Sequence, residues 1–303
     1  MKRIAAALPV LGLLLCGACG GDDDSGATGE SRPRVAASFF PIAEAAQAVG
    51  GDLVEVSNLT PAGTEPHDLE LTSRQVDQLQ DAALVLFLGQ GFQPAVEEIA
   101  EDRDGPSVDL LAGLPLVPAE EDEDDEDGGV DPHFWLDPTL MSVAVDEIEQ
   151  ALVELDPEHA DTIAANADEY RARLADLDAE FQSALANCAR RVIVTSHAAF
   201  SYLAQRYDLE QLPIAGLSPE SEPTPQRLAE LTDLIADDGV TTVFYETLVD
   251  PAVAETLARE AGVETAVLNP IEGLSAEDAE AGKDYAAVMR DNLAALTEAL
   301  GCE

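Results

Sequence analysis

The sequence predicts an α/β fold in which two similar lobes, each with a mainly parallel sheet, are joined by one long rigid helix. Short apolar segments alternate with helix-forming segments in residues 34–155, and the same alternation returns in residues 188–303. Between them, residues 156–187 have one continuous helical pattern. Strand–helix alternation is typical of parallel sheets covered by helices. A chain of 303 residues with 46% hydrophobic residues is long and apolar enough for two such lobes.

In the first lobe, four apolar runs are predicted as strands: "RVAASFF", "LVEVSNL", "ALVLFLG" and "PSVDLL". Helices are expected from Pro41 to Val49, over "TSRQVDQLQDA" and from Pro138 to Leu155. Asp137 is a typical N-cap for the last helix, because Pro138 occupies its first position. Residues 119–131 are predicted to be a surface loop, since eight consecutive acidic residues, Glu120 to Asp127, interrupt the pattern.

The linking helix is predicted to begin at Asp156-Pro157, a cap-plus-proline signal. Its apolar residues follow one another at steps of three or four, as one buried helix face requires. They are Ile163, Ala167, Tyr170, Leu174, Leu177, Phe181 and Leu185. At 1.5 Å per residue, roughly thirty residues would span about 45 Å, which is long enough to join two lobes.

The second lobe repeats the pattern. Strands are expected at "RVIVTSH", "LPIAGLS" (or an extended segment), "TTVFYET" and "TAVLNP". Helices are expected to open at Thr224-Pro225, Asp250-Pro251 and Asp284, and to end near Asp238-Gly239, Gly262 and Gly301 respectively.

The first residues resemble an export signal. Lys2 and Arg3 precede an apolar stretch of about a dozen residues, which is too short to span a bilayer. Residues 1–18 are therefore predicted to be a signal peptide, and Cys19 to be the lipidated first residue of a bacterial lipoprotein. The position three before Cys19, usually Leu, is Cys16. Residues 19–33, rich in Gly, Asp and Ser, are predicted to be a flexible tether. The protein is therefore expected outside the cytoplasmic membrane, on the cell surface or in the periplasm.

The formal net charge of −46 excludes nucleic acid as a natural partner and opposes binding to anionic membrane surfaces, apart from the lipid anchor. Such a charge is more often a matter of solubility than of a specific site. For Cys188 and Cys302, export to an oxidising compartment favours a disulfide. The alternative, two zinc-binding thiolates, lacks any second Cys or His near either residue.

Three of the four histidines, His67, His133 and His197, follow predicted strands or lie in loops beyond them, whereas His159 is expected on the surface. Ligands of open α/β sheets bind beyond the carboxyl ends of the strands. The three imidazoles are therefore predicted to converge on one metal site. With one carboxylate, they would make a normal tetrahedral zinc set.

At these residues the chain resembles the substrate-binding lipoproteins of bacterial zinc and manganese ABC transporters, whose fold is two α/β lobes joined by a long helix. The resemblance covers about residues 35–302 and rests on "GTEPHDLELTSRQV", "DPHFWLDP", "VTSHAAFSYLAQRY", "GLSPESEPTPQRLAEL", "FYETLVDPAVAETLAREAGV" and "LNPIEGL". It implies that His67, His133 and His197 are metal ligands. Manganese-type members usually have glutamate at the third position, so His197 indicates the zinc branch.

The resemblance also implies a fourth ligand. Many members have Asp in a "DP" motif where this chain has Asn269-Pro270, and Glu272, three positions later, is the predicted carboxylate ligand. Glu65, Asn269 or a water are the alternatives, and Glu246 is a candidate partner of a ligating histidine. Trp135 and Phe200 are predicted to pack beside ligands. Relatives often carry a histidine-rich loop before the second ligand; here the acidic run takes its place, either as a solvated loop or as one that gathers metal ions.

The predicted function is therefore capture of Zn²⁺ outside the membrane and delivery to an ABC permease, by a monomer that is not an enzyme. Three alternatives remain: a Mn²⁺ or other divalent-metal protein of the same transporter class, a zinc-dependent hydrolase, and a surface adhesin with a role in cell adhesion. The helix-borne His-Glu-x-x-His arrangement of one hydrolase class is missing from the sequence.

Overall fold

Two four-stranded parallel sheets form the framework of the protein, as seen in a computed structural model that describes residues 32–118 and 129–303. The predicted signal peptide, Cys19 and the tether up to residue 31, and the acidic run Glu120 to Asp127 lie outside the described residues. The two-lobe α/β fold that the sequence predicts is confirmed.

Both sheets have the same strand order. The first contains β1 (Arg34–Ala37), β2 (Glu55–Asn58), β3 (Leu84–Phe87) and β4 (Ser107–Asp109), in the order β2-β1-β3-β4. The second contains β5 (Val192–Thr195), β6 (Glu210–Pro213), β7 (Thr242–Tyr245) and β8 (Glu264–Val267), in the order β6-β5-β7-β8. All pairings are parallel, so the carboxyl ends of each sheet's strands share one edge.

Ten α-helices occur in the described residues. They are α1 (Phe40–Gly50), α2 (Ser73–Asp81), α3 (Pro94–Asp102), α4 (Pro138–Leu155), α5 (Ala160–Ala184), α6 (Ser201–Arg206), α7 (Pro225–Asp237), α8 (Ala252–Ala261), α9 (Ala276–Ala281) and α10 (Tyr285–Leu300). The predicted cap of α4 is confirmed, because Asp137 accepts a backbone N–H of the first turn. Helices α7 and α10 begin where the sequence predicts, and Thr224 and Asp284 accept first-turn N–H groups in the same way. The short helices α3, α6 and α9 have no counterpart among the helices predicted from the sequence.

The linking helix is shorter than its sequence pattern suggests. Pro157–His159 form a separate 3₁₀ turn, and α5 has 25 residues, or about 38 Å. Asp156 does not cap a helix here; its carboxylate lies 2.7 Å from Nδ1 of the exposed His159. The predicted stripe is nevertheless fully buried. Helix α5 contacts α1 and α4 of the first lobe and α10 of the second, as a helix that joins two lobes must.

The predicted disulfide is present between Cys188 and Cys302, 114 residues apart in sequence. Backbone hydrogen bonds from Ala189 to Gly301 and from Arg190 to Leu300 accompany it. The end of the chain is thereby fixed to the segment just before β5, at the end of that strand opposite the candidate site. Among the helices of the described residues, none has the length and apolar character needed to cross a membrane.

Candidate metal centre

The four predicted metal ligands lie on segments that follow strands. His67 stands in the loop after β2, and His133 precedes the short 3₁₀ turn Phe134–Leu136 that leads into α4. In the second lobe, His197 comes two residues after β5 and Glu272 comes five residues after β8. Both sheets therefore turn the carboxyl ends of their strands towards one place, where ligands of open α/β sheets bind.

The structure brings these four side chains together around one carboxylate oxygen. Oε1 of Glu272 lies 3.3 Å from Nε2 of His67, 3.0 Å from Nε2 of His133 and 3.2 Å from Nε2 of His197. The two Nε2 atoms of His133 and His197 are 3.4 Å apart. One ligand atom from each residue lies within 4.8 Å of all the others.

These separations have the size that zinc requires. Zinc binds imidazole nitrogen and carboxylate oxygen at about 2.0–2.2 Å, so neighbouring atoms of a tetrahedral set are roughly 3.3–3.6 Å apart. The four measured edges, 3.0–3.4 Å, fall at or slightly below this range. His133, His197 and Glu272 thus already have nearly the spacing of a zinc set, and the ligand atom of His67 lies within 4.8 Å of the other three.

The rings of His133 and His197 are completely buried, and each has a carboxylate behind it. Nδ1 of His133 lies 2.7 Å from Oδ1 of Asp131, and Nδ1 of His197 lies 2.6 Å from Oε1 of Glu246. A carboxylate on Nδ1 holds the proton on that nitrogen and leaves the Nε2 lone pair for a metal. Glu246, a candidate partner of a ligating histidine, is thus in contact with Nδ1 of His197.

His67 is held differently. Its side chain is 11% exposed, and its ring packs edge-on against Phe92 at a centroid distance of 4.7 Å. Glu65, one of the alternative fourth ligands, lies outside the converging group. Its two carboxylate oxygens accept the backbone N–H groups of His67 and Asp68. The same loop reaches the second lobe, where the N–H of Gly63 donates to the carbonyl of Leu274 at 2.8 Å.

The pKa shifts also distinguish His67 from His133 and His197. Burial lowers the pKa of His67, and the nearby Glu272 carboxylate does not outweigh that effect. Burial also opposes protonation of His133 and His197, but Asp131, Glu246 and Glu272 outweigh it, so both pKa values are raised.

The pKa values of Glu272 and Glu65 are shifted in opposite directions. Burial raises the pKa of Glu272, but the three imidazoles outweigh it and hold that pKa well below its usual range. Burial and the Glu272 charge raise the pKa of Glu65 to about 7.

The side chain of Asn269, another alternative fourth ligand, makes hydrogen bonds outside the converging group. Its side-chain oxygen accepts the N–H of Ile271 at 2.7 Å, and its amide nitrogen donates to Thr247. Trp135 and Phe200 are fully buried, in agreement with the predicted packing role, and the Trp135 ring lies 5.1 Å from that of His133.

Sequence reasoning did not assign a role to two residues that contact the candidate ligands. Asp131 begins the motif "DPHFWLDP", and its position two before His133 is the signal that places its carboxylate near the ring. Phe92 follows the pair Gln90-Gly91, both of which have positive φ, and nothing in the local pattern connects it to His67.

Known proteins are similar to this chain over most of its length. The family model described as zinc-uptake complex component A periplasmic, ZnuA, matches residues 35–299. The high-affinity zinc uptake system protein ZnuA of Bacillus subtilis is 34% identical over 95% of this chain and 94% of its own length. The zinc-binding lipoprotein AdcA of Streptococcus pneumoniae is 35% identical over 98% of this chain, but this chain spans only 61% of AdcA.

A solved structure extends the likeness to the fold. The Zn(II)-bound ZnuA-like domain of AdcA from Streptococcus pneumoniae superposes with a TM-score of 0.77 and 34% identity, covering 89% of this chain and 99% of that domain. Two matching lobes, a shared family model and a relative matched over nearly its full length point the same way. The chain belongs to the ZnuA family of periplasmic zinc-uptake components.

Proposed function

We propose that this protein captures Zn²⁺ outside the cytoplasmic membrane, through His67, His133, His197 and Glu272, and delivers it to the permease of an ABC transporter. One observation carries the proposal: three imidazole Nε2 atoms surround a single carboxylate oxygen at 3.0–3.3 Å. Three imidazole nitrogens and one carboxylate oxygen are a normal donor set for zinc.

The donor set supports zinc over manganese. Imidazole nitrogen suits zinc, whereas Mn²⁺ favours carboxylate, carbonyl and water oxygens in six-coordinate sites. Here only one of the four converging residues is a carboxylate, and the site is almost closed to water because His133, His197 and Glu272 are buried. We therefore expect the protein to bind Mn²⁺ much more weakly than Zn²⁺.

The same geometry supports binding rather than catalysis. Catalytic zinc sites usually keep three protein ligands and leave a position for water, whereas closed sites use four. Four side chains converge here, and Trp135 and Phe92 pack directly beside two of them. A captured ion would have no free position at which to activate water.

Delivery to a permease is supported by the family description, a periplasmic component of a zinc-uptake complex, and by the two-lobe architecture. AdcA and ZnuA are named for zinc binding and zinc uptake. The lipid anchor at Cys19 belongs to the same proposal, since AdcA is named as a lipoprotein. Mass spectrometry of the mature first residue would test that anchor.

Calorimetric titration of metal-stripped protein with Zn²⁺ and Mn²⁺ tests the proposal. We expect one tight Zn²⁺ site, much weaker Mn²⁺ binding, and a large loss of Zn²⁺ affinity in Glu272→Ala. His159→Ala is the matched control, because this fourth histidine is exposed and should leave affinity unchanged. Tighter Mn²⁺ binding, or an unaffected Glu272→Ala, would contradict the ligand set.

A second experiment separates transport from catalysis. Cells that lack this protein should grow poorly in zinc-chelated medium, and the wild-type chain but not His133→Ala should restore growth. Hydrolysis of esters or lactams by the zinc-loaded protein, abolished in His133→Ala, would instead support the hydrolase.

A further inference from the structure

A strained residue lies immediately before the carboxylate ligand. Ile271 has a φ of +60°, and its side chain is fully buried. Left-handed backbone of this kind is rare for a β-branched residue, because the side chain crowds the neighbouring carbonyl. Such outliers persist only where the surrounding structure holds them, and they concentrate at functional sites.

Asn269 is the residue that holds this turn most directly. Its Oδ1 accepts the N–H of Ile271 at 2.7 Å, a side-chain contact to the backbone two residues on. Asn269 is itself fixed by the buried Asn292 of α10: its N–H donates to Oδ1 of Asn292, and its carbonyl accepts from Nδ2 of Asn292. The amide of Asn269 also donates to Thr247 beyond β7.

The first lobe contacts the same turn. Nε1 of Trp135 donates to the carbonyl of Pro270 at 2.7 Å, and Trp135 lies two residues after His133. The hydroxyl of Tyr285, at the start of α10, donates in turn to the carbonyl of Trp135. The turn at Pro270-Ile271 is therefore tied to the segment that carries His133.

We propose that Asn269 is a positioning residue: by holding Ile271 in the left-handed conformation, it aims the Glu272 carboxylate at the three histidines. This inference rests on the proposed function, because it concerns how Glu272 reaches the ion. It also gives a reason for an amide at this position. The amide oxygen accepts the N–H of Ile271 and the amide nitrogen donates to Thr247. Asn269 therefore acts on the site without being a ligand.

A double-mutant cycle tests the proposal. Asn269→Ala keeps the backbone atoms that pair with Asn292 but removes the contact to Ile271, and we expect Zn²⁺ affinity to fall about 10- to 100-fold. Glycine adopts positive φ without strain, so Ile271→Gly should make Asn269 dispensable. In that background, Asn269→Ala should change affinity by no more than about twofold.

Affinity is measured by competition with a chromophoric zinc chelator, and the ligand set by the absorption spectrum of Co²⁺-loaded protein. Asn269→Ala should give a cobalt spectrum resembling that of Glu272→Gln, and Ile271→Gly/Asn269→Ala should restore the wild-type spectrum. Asn269→Ser, whose hydroxyl is a weaker acceptor for the same N–H, should lie between wild type and Asn269→Ala. This milder variant keeps the test usable if Asn269→Ala does not fold.

The outcomes separate this inference from the proposed function. If Asn269→Ala binds Zn²⁺ normally while Glu272→Gln does not, the ligand set stands and the positioning role is wrong. If Ile271→Gly fails to rescue Asn269→Ala, Asn269 acts by another route, and the proposal is overturned. If Glu272→Gln also binds normally, the proposed ligand set itself fails.

Discussion

His67 and His197 are proposed to bind the same ion, yet the protein holds their rings in different ways. His197 follows β5 directly, is fully buried and has Glu246 at 2.6 Å from Nδ1. His67 stands in a loop, is partly exposed and packs against the ring of Phe92. His197 is therefore a ligand that is already oriented, whereas His67 lies at the edge of the site. We expect His67 to be the ligand through which the ion enters and leaves.

Replacing His197 and His67 by alanine, one at a time, tests how much each ring contributes to zinc affinity. Structural zinc sites bind with about 10–16 kcal/mol, so each of four ligands accounts for about 3 kcal/mol, or on the order of 100-fold in affinity. His197→Ala should exceed this value, towards about 1,000-fold, because it also leaves the buried Glu246 carboxylate without its partner. Competition titrations with a zinc chelator measure the change.

His67→Ala should weaken Zn²⁺ binding less, by about 100-fold, since its removal opens a site at the surface and leaves no buried carboxylate behind it. Stopped-flow mixing with a chelator provides the second readout: zinc should leave His67→Ala faster than wild type. Equal losses in His67→Ala and His197→Ala would show that burial and the Glu246 contact do not distinguish the two ligands.

A smaller effect is expected from the carboxylate behind His197. Glu246→Gln keeps the size of the side chain but weakens its hold on Nδ1, and zinc affinity should fall about 10- to 100-fold. Glu65→Gln is the matched control, because Glu65 contacts the backbone of the His67 loop and not its ring. It should change affinity less than Glu246→Gln does, and the reverse order would contradict the assigned roles.

The smallest effect concerns a contact between the lobes. Glu44 of α1 accepts the N–H of Tyr285 at the start of α10, and burial raises its pKa from 4.5 to about 7. A carboxyl whose pKa is raised on folding contributes stability below pH 4.5, and that stability is lost as the pH rises through about 7.

Glu44→Gln cannot ionise and should avoid that loss. At about 2–4 °C per kcal/mol of stability in large domains, we expect its unfolding temperature to exceed that of wild type by several degrees at pH 8, and the difference to vanish near pH 4. Thermal unfolding of the metal-free proteins at both pH values measures it. A difference that grows towards acid pH would mean that the carboxylate, and not the neutral acid, stabilises the contact.

Elements with strong local signals were predictable from the sequence. Strand–helix alternation indicated two parallel sheets, and Asp137, Thr224 and Asp284 located three helix starts because an N-cap acts on its own first turn. The stripe along α5 was correct, but its first turn was not. Asp156-Pro157 matches a cap signal, yet the chain forms a 3₁₀ turn there before α5 begins at Ala160.

The sequence by itself also indicated which residues converge, because His67, His133 and His197 follow strands and parallel strands share one carboxyl edge. How their rings are oriented was decided only by the tertiary structure. Glu246 reaches His197 across 49 residues of sequence. The positive φ of Ile271, just before Glu272, opposes the residue's own local preference. Asn269 accepts the N–H of Ile271, and Trp135 of the other lobe donates to the carbonyl of the adjacent Pro270. Local patterns specify helices and strands, but a strained turn exists only where distant side chains stabilise it.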